Sequence, residues 1–197
     1  MKTMIISDIW SILKTSHGNA ILLKPRNMDV AVPIFIGTLE MQSILIGKEG
    51  ITLSRPHTHD LFLNMLARVN LSVKRIEIFE IKDDVFHARL IVTGGEYTKE
   101  KPLVLDSRPS DALAIATRKK CTIYIDTSVI KQTGVPLTYF INDLKETTDD
   151  QYKSLKEQLE QAIAEEEYEQ AAEIRDLLKI LENDSENEDE NAWFDVI

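Results

Sequence analysis

The chain reads as an α+β protein: mixed β-sheets with short crossover helices, followed by a C-terminal helical hairpin and an acidic tail. Three observations predict this. Up to about residue 140, short runs rich in Val, Ile and Leu alternate with short helical patterns. Some neighbouring strand runs are joined by hairpin signals and others by helical stretches, which indicates mixed sheets. Beyond residue 150 the period becomes wholly helical and the charge strongly acidic.

Each element has its own warrant. Strands are expected at 4–9, at 19–24 (NAILLK) and at 30–36 (VAVPIFI). Helical spacing follows at 38–49 and 59–69. The runs 72–81 and 85–93 are strands. Asp83-Asp84 supplies a tight turn between them and Gly94-Gly95 ends the second. A strand at 102–106, a helix at 108–119 and a strand at 122–126 complete the body. Arg118, Lys119 and Lys120 close the third helix, where cations suit the dipole. These elements define a domain over 1–142, and the polar stretch DLKETTDD at 143–150 reads as a linker.

The segment 151–183 has two apolar stripes. Leu155, Leu159 and Ile163 form one, and Tyr168, Ala171, Ile174, Leu178 and Leu181 the other, broken at Glu165-Glu166-Glu167. Each stripe is too narrow to be stable alone in water. An antiparallel pair buries both and is preferred to one continuous helix. Residues 184–197 have the composition of a disordered acidic tail, with apolar Trp193, Phe194, Val196 and Ile197 near its end.

The 197 residues suffice for one sizeable core plus an appendage. No apolar run approaches the ~18 residues that span a bilayer, so no membrane partner is expected. The opening stretch MKTMIISDIWSILK has no signal-peptide cleavage region. One cysteine, Cys121, rules out an internal disulfide framework and a Cys-rich zinc site. Cytoplasmic residence is the resulting expectation. The net charge of -10 conceals a division: residues 1–142 hold 18 Lys and Arg against 14 Asp and Glu, a net +4, while 143–197 hold 5 against 19, a net -14. A mildly basic body is compatible with a polyanionic partner, and the acidic tail would repel that partner or compete with it.

Two stretches carry more ionisable groups than a helix start needs. DSRPSDALAIA (106–116) and SRPHTHDLFLNML (54–66) both place Ser-Arg-Pro and an Asp before an apolar helical run. Capping explains Ser107, Pro109, Thr58 and Asp60. It leaves Asp106, Arg108, Arg55, His57 and His59 unexplained. A helix N-terminus beside Arg can hold a phosphate, but an Asp in each first turn would repel it. A divalent cation bridging Asp and phosphate resolves that conflict. The two mouths are therefore expected to lie together, in one cleft with Glu40.

With VPIFIGTLEMQSILIG (32–47), RPHTHDLFLNML (55–66) and LDSRPSDALAIATR (105–118) on the page, the body resembles the bifunctional nuclease family over roughly residues 1–140. That resemblance implies an α+β domain that degrades DNA and RNA and tends to dimerise, so a homo-oligomer is expected. It marks Gly37 and Glu40 in the first stretch, Arg55, Thr58, His59 and Asp60 in the second, and Asp106, Ser107, Arg108, Pro109, Ser110 and Asp111 in the third. The tail segment LEQAIAEEEYEQAAEIRDLLKILE is similar to the UVR motif of the UvrB and UvrC proteins, a protein-contact hairpin. Ala162, Tyr168, Glu169, Ala171, Ala172, Arg175 and Asp176 match its core.

Two functions follow. In the first, the chain is a nuclease that hydrolyses DNA or RNA with metal assistance. His59 or His57 is then general base or metal ligand, Glu40 joins the catalytic group, and Asp60, Asp106 and Asp111 hold Mg²⁺ or Mn²⁺. Arg55, Arg108, Ser107 and Ser110 bind the substrate. In the second, it is a non-catalytic adaptor or regulator whose body binds a small ligand or protein. In both, the hairpin recruits a protein partner through Tyr168, Ala171, Ala172 and Arg175.

Overall fold

The structure, a computed structural model, describes residues 3–15, 18–96 and 98–140 together with residues 155, 156, 159, 161 and 175. Two compact units divide the chain, Met1–Leu137 and Thr138–Ile197. In chain order the first unit contains β1 (Met4–Thr15), β2 (Gly18–Pro25), β3 (Val30–Ile36), α1 (Thr38–Lys48), α2 (Thr58–Arg68) and β4 (Leu71–Lys82). It continues through β5 (Val85–Gly94), β6 (Leu103–Ser107), α3 (Pro109–Lys119), β7 (Thr122–Asp126), α4 (Thr127–Thr133) and β8 (Val135–Pro136).

All eight strands join one mixed sheet in the order β6-β5-β4-β7-β1-β2-β3-β8. Neighbours pair antiparallel except β4 and β7, which run parallel with Ile76 opposite Ile123. A parallel pair needs a crossover, and the path from β6 through α3 to β7 supplies it. The β4–β5 hairpin turns at Asp83 and Asp84, both at positive φ (50° and 59°), the conformation a two-residue turn between twisted strands requires.

Strand alternation sorts the two faces of the sheet. Ile76, Ile78, Ala88, Leu90, Ile123 and Ile125 point to one face, where they form the core with α3. The helix is built for that position. Ala112, Leu113, Ala114, Ile115 and Ala116 are all buried, and the small alanines let its backbone approach sheet and helices closely. α1 lies against α3 at Gly47, where an added Cβ would run into the Thr117 hydroxyl and lie 3.1 Å from Arg118 Nη1.

The α+β class and mixed sheet agree with the sequence pattern, with four differences in detail. Among the described residues the strands form a single sheet. β1 continues six residues beyond the expected end at residue 9, because its register shifts between Ile9 and Ser11 and so breaks the alternation that marks a strand. α4 and β8 were not expected. Helix starts also move by one residue: His57, not Thr58, is the N-cap of α2, and Arg108, not Ser107, is that of α3. Of the hairpin expected over 151–183, only Leu155, Lys156, Leu159, Gln161 and Arg175 are described, all helical. Tyr168, Ala171 and Ala172, the linker at 143–150 and the tail at 184–197 lie outside the described residues. Among the described residues no helix is long and apolar enough to cross a membrane.

Candidate functional site

Helices α1, α2 and α3 bring one residue group together from three distant parts of the chain. On α3, Asp111 sits in the first turn and accepts two bonds from the N-cap residue: Arg108 Nε at 2.9 Å and Nη2 at 3.3 Å. On α2, His59 places Nε2 at 3.3 Å from Asp111 Oδ1 and Nδ1 at 3.0 Å from the Ser43 hydroxyl of α1. Glu40, one turn earlier on α1, approaches Arg108 Nη1 at 3.7 Å. Its side chain folds back over the helix start, where a Cβ on Gly37 would collide with Glu40 Oε2.

The chemistry of these partners fixes the histidine tautomer. Burial alone would raise the Asp111 carboxyl, but the bonds from Arg108 and His59 hold it below its ordinary range. Asp111 is thus a carboxylate and can only accept. Nε2 must therefore carry the hydrogen, and in the neutral ring the Nδ1 lone pair accepts the Ser43 hydroxyl proton. Arg108 is raised in turn by its bond to Asp111, with Glu40 adding to the effect. Its side chain is two-thirds exposed (68%), so its outer N–H groups face solvent.

A second set of bonds anchors this group from below. Arg118 is almost fully buried, with a side chain 7% exposed. Its Nε donates to Asp60 Oδ1 at 2.8 Å, and Nη1 donates to the Ser43 carbonyl at 2.7 Å and the Ala114 carbonyl at 2.9 Å. The other Asp60 oxygen accepts from the His57 backbone N–H at 3.0 Å, which caps α2. Both oxygens of Asp60 are engaged, one in a cap and one in an ion pair that ties α2 to α3.

The structure thus brings together Glu40, His59, Arg108 and Asp111, with Asp60 just behind them. Ser107 spends its hydroxyl on the Arg108 carbonyl at 3.0 Å. Ser110 is buried beside the cleft (8% exposed). Arg55 and His57 are exposed near the start of α2, and Arg55 makes no ion pair among the described residues. Asp106 does not join the group. It pairs with Arg89 across β5–β6, and the neighbours of Arg89, Ala88 and Leu90, point into the core. Asp106 therefore stands on the far face of the sheet, so the expectation of one cleft has to be corrected for this residue. On that face Glu77 binds Arg75 and Arg89, each at 2.7 Å.

Among the described residues no three His, Cys, Asp or Glu side chains converge as a metal site. Asp60, Asp106 and Asp111 do not form such a group, and Arg108 already stands between the Glu40 and Asp111 carboxylates. As arranged, these side chains do not fit a resident divalent cation.

Sequence reasoning missed Ser43 and the role of Arg118. Ser43 follows Glu40 by three residues, and Arg118 follows Asp111 by seven. Both spacings return to the same helix face. Arg118 was assigned to the dipole at the end of α3, whereas its partners lie on α1 and α2 as well as α3.

Comparison with known proteins identifies two families. The bifunctional nuclease domain matches residues 21–138, more than half of the chain, and the UvrB/UvrC motif matches residues 149–184. An uncharacterized protein of Mycobacterium tuberculosis is 33% identical over 115 residues, covering 58% of this chain and 66% of that protein. Bifunctional nuclease 1 of Oryza sativa subsp. indica is 28% identical over 120 residues, covering 59% of this chain and 35% of its own length. Bifunctional nuclease 2 of Oryza sativa subsp. japonica is 27% identical over 129 residues, 64% and 38% respectively. The aligned region spans just under two thirds of the mycobacterial relative and little more than a third of the rice proteins.

Proposed function

The chain belongs to the bifunctional nuclease domain family and carries a UvrB/UvrC motif behind that domain; from this premise we propose that it hydrolyses phosphodiester bonds of DNA or RNA at the Glu40–His59–Arg108–Asp111 cleft. One observation carries the reading. An imidazole with a defined tautomer lies between a hydroxyl and a carboxylate, beside an exposed guanidinium. Arg108 binds the substrate phosphate through its outer N–H groups. The proton of the attacking water passes through the Ser43 hydroxyl to His59 Nδ1, and Asp111 stabilises the imidazolium that results. The same ring then returns a proton to the leaving oxygen. Glu40 holds Arg108 from its other side. Because the donors do not fit a resident cation, no step runs through one, and Mg²⁺ or Mn²⁺ enters as a condition of the assay.

A second reading is a non-catalytic adaptor. It is favoured by the pairing of every carboxylate in the group with arginine: Asp60 with Arg118, Asp111 and Glu40 with Arg108. In both readings the UVR motif serves a protein partner, with Tyr168, Ala171, Ala172 and Arg175 as its proposed contact residues. Purified chain incubated with labelled single-stranded DNA and RNA, with and without Mg²⁺ or Mn²⁺, separates the two. The expected outcome is cleavage that His59→Asn lowers by roughly 10²-fold or more, with an unchanged circular dichroism spectrum. A wild-type chain that cleaves neither substrate under any of these conditions supports the adaptor.

A further inference from the structure

A cavity of about 320 Å³ opens beside the cleft, between the end of β3, the tip of the β4–β5 hairpin and the starts of α1 and α3. This is the small end of the range for ligand pockets, roughly 300–1,000 Å³, and suits one nucleoside. Ile36, Phe86 and Pro109 make its apolar walls, and Glu40, Arg108 and Ser110 contribute polar groups. Val85, more than half exposed, lies at the same cavity. We propose that this cavity binds the terminal nucleoside of a single-stranded nucleic acid, with the adjoining phosphate on Arg108. The proposal rests on the phosphate role given to Arg108 above.

Three observations carry it. First, Ser110 lines the cavity, and its hydroxyl makes no hydrogen bond among the described residues while still reaching the solvent of the cavity, so it is free to bond a ligand. Second, α1 and α3 both begin at this cavity without a side-chain cap: Gly37 has no side chain, and the Arg108 side chain turns to Asp111 instead. Pro109 has no N–H and Glu40 lies over the start of α1, so the donors for base or sugar oxygens are the first-turn N–H groups of Ser110 and Asp111 on α3. Third, the charges sort the ligand's orientation. Glu40 and Asp84 line the cavity as acceptors, which suit sugar hydroxyls and exocyclic amines and repel phosphate. Arg108, the one cation among the described residues that line the cavity, receives the phosphate. Phe86, partly buried against the core, also lines the cavity, and an aromatic ring there is of the kind on which bases stack, irrespective of sequence.

The test uses the full chain carrying His59→Asn, which suppresses turnover. Adenosine 5′-monophosphate and inorganic phosphate are titrated by calorimetry, and amide shifts are followed by NMR. The nucleotide is expected to bind about tenfold tighter than phosphate or better, moving the amides of Gly37, Val85 and Ser110. Phe86→Leu is expected to weaken the nucleotide about tenfold and Val85→Ser about threefold, both leaving phosphate unchanged. Val85 is exposed, so that variant reports even if Phe86→Leu is poorly folded. Nucleotide binding no tighter than phosphate, or insensitive to Val85→Ser, overturns the proposal. The hydrolase reading stands or falls separately, on cleavage by the wild-type chain. A chain that binds the nucleotide here and cuts nothing keeps the cavity and loses the hydrolase, and the converse result reverses that.

Discussion

Replacing Ser43 by alanine removes the hydroxyl that occupies His59 Nδ1, while Asp111 still accepts from Nε2. Nitrogen-15 shifts of the ring should then show Nδ1 as a free lone pair open to solvent, and the cleavage rate should fall. Ser43→Thr, which keeps a hydroxyl, should restore both; a Ser43→Ala ring and rate identical to wild type would remove Ser43 from the relay. Glu77 offers a second residue-level test on the other sheet face. Its burial opposes ionisation, but the bonds from Arg75 and Arg89 prevail and hold its carboxyl below the ordinary range. A depressed carboxylate stabilises the fold at pH above its unfolded value, and that stability is lost as pH falls through the folded value. Glu77→Gln should cost about 2–3 kcal/mol near neutrality. This is less than the ~3–5 for breaking a fully buried pair, because both arginines are about a third exposed. In urea melts the gap between variant and wild type should narrow as the pH is lowered below the ordinary glutamate range. At this scale surplus charge was a partial signal: of Asp106, Arg108, Arg55, His57 and His59, it led to Arg108 and His59, while Asp106 stands on the other face of the sheet. At Asp60 the sequence offered a cap and a metal ligand side by side, because a carboxylate in a first turn fits both; the structure shows the cap and adds an ion pair. Only the buried guanidinium of Arg118, distant in sequence, separates these roles.

At the level of elements, the strands 30–36 and 122–126 and the three main helices were readable because their patterns are local. The extension of β1 was not, since the bulge near Trp10 hides the alternation. α4 was missed although its cap is plain afterwards: Asp126 accepts from the Ser128 backbone N–H at 2.8 Å. What no pattern announces is how two helices meet. Gly47 reads as a weak point of α1, since glycine in a helix interior costs about 1 kcal/mol relative to alanine. Its reason lies on α3, in the Thr117 hydroxyl and the Arg118 side chain. Arg118 cannot yield easily, because three hydrogen bonds pin it to Asp60, Ser43 and Ala114. Overpacking typically costs about 1–3 kcal/mol, which outweighs the helix-propensity gain. Gly47→Ala should therefore lower stability by about 1–2 kcal/mol. A calorimetric Tm at or above wild type would show that α1 and α3 can move apart at that point.

For the whole molecule, the distribution of charge decides more than its sum. Removing 143–197 leaves Met1–Leu137 whole, the unit that holds the sheet and the candidate site. It also turns a chain of net charge -10 into one of +4. Binding to nucleic acid is driven largely by release of counterions from the phosphates and weakens steeply with salt. An acidic segment on the same chain competes with those phosphates for the basic side chains. The truncated chain should therefore bind labelled single-stranded DNA more tightly than the full chain at an ionic strength of about 0.01 M, where charges interact over roughly 30 Å. The difference should shrink near 0.15 M, where that range falls to about 8 Å. Fluorescence anisotropy at the two salts reads both the affinity and its slope. Equal affinities at low salt would mean that the acidic segment does not act on the body, and its charge would then belong to the UVR motif and its partner alone. Tighter binding by the truncated chain that persists unchanged at the higher salt would point to steric occlusion of the site, because a screened electrostatic effect cannot survive the shorter range.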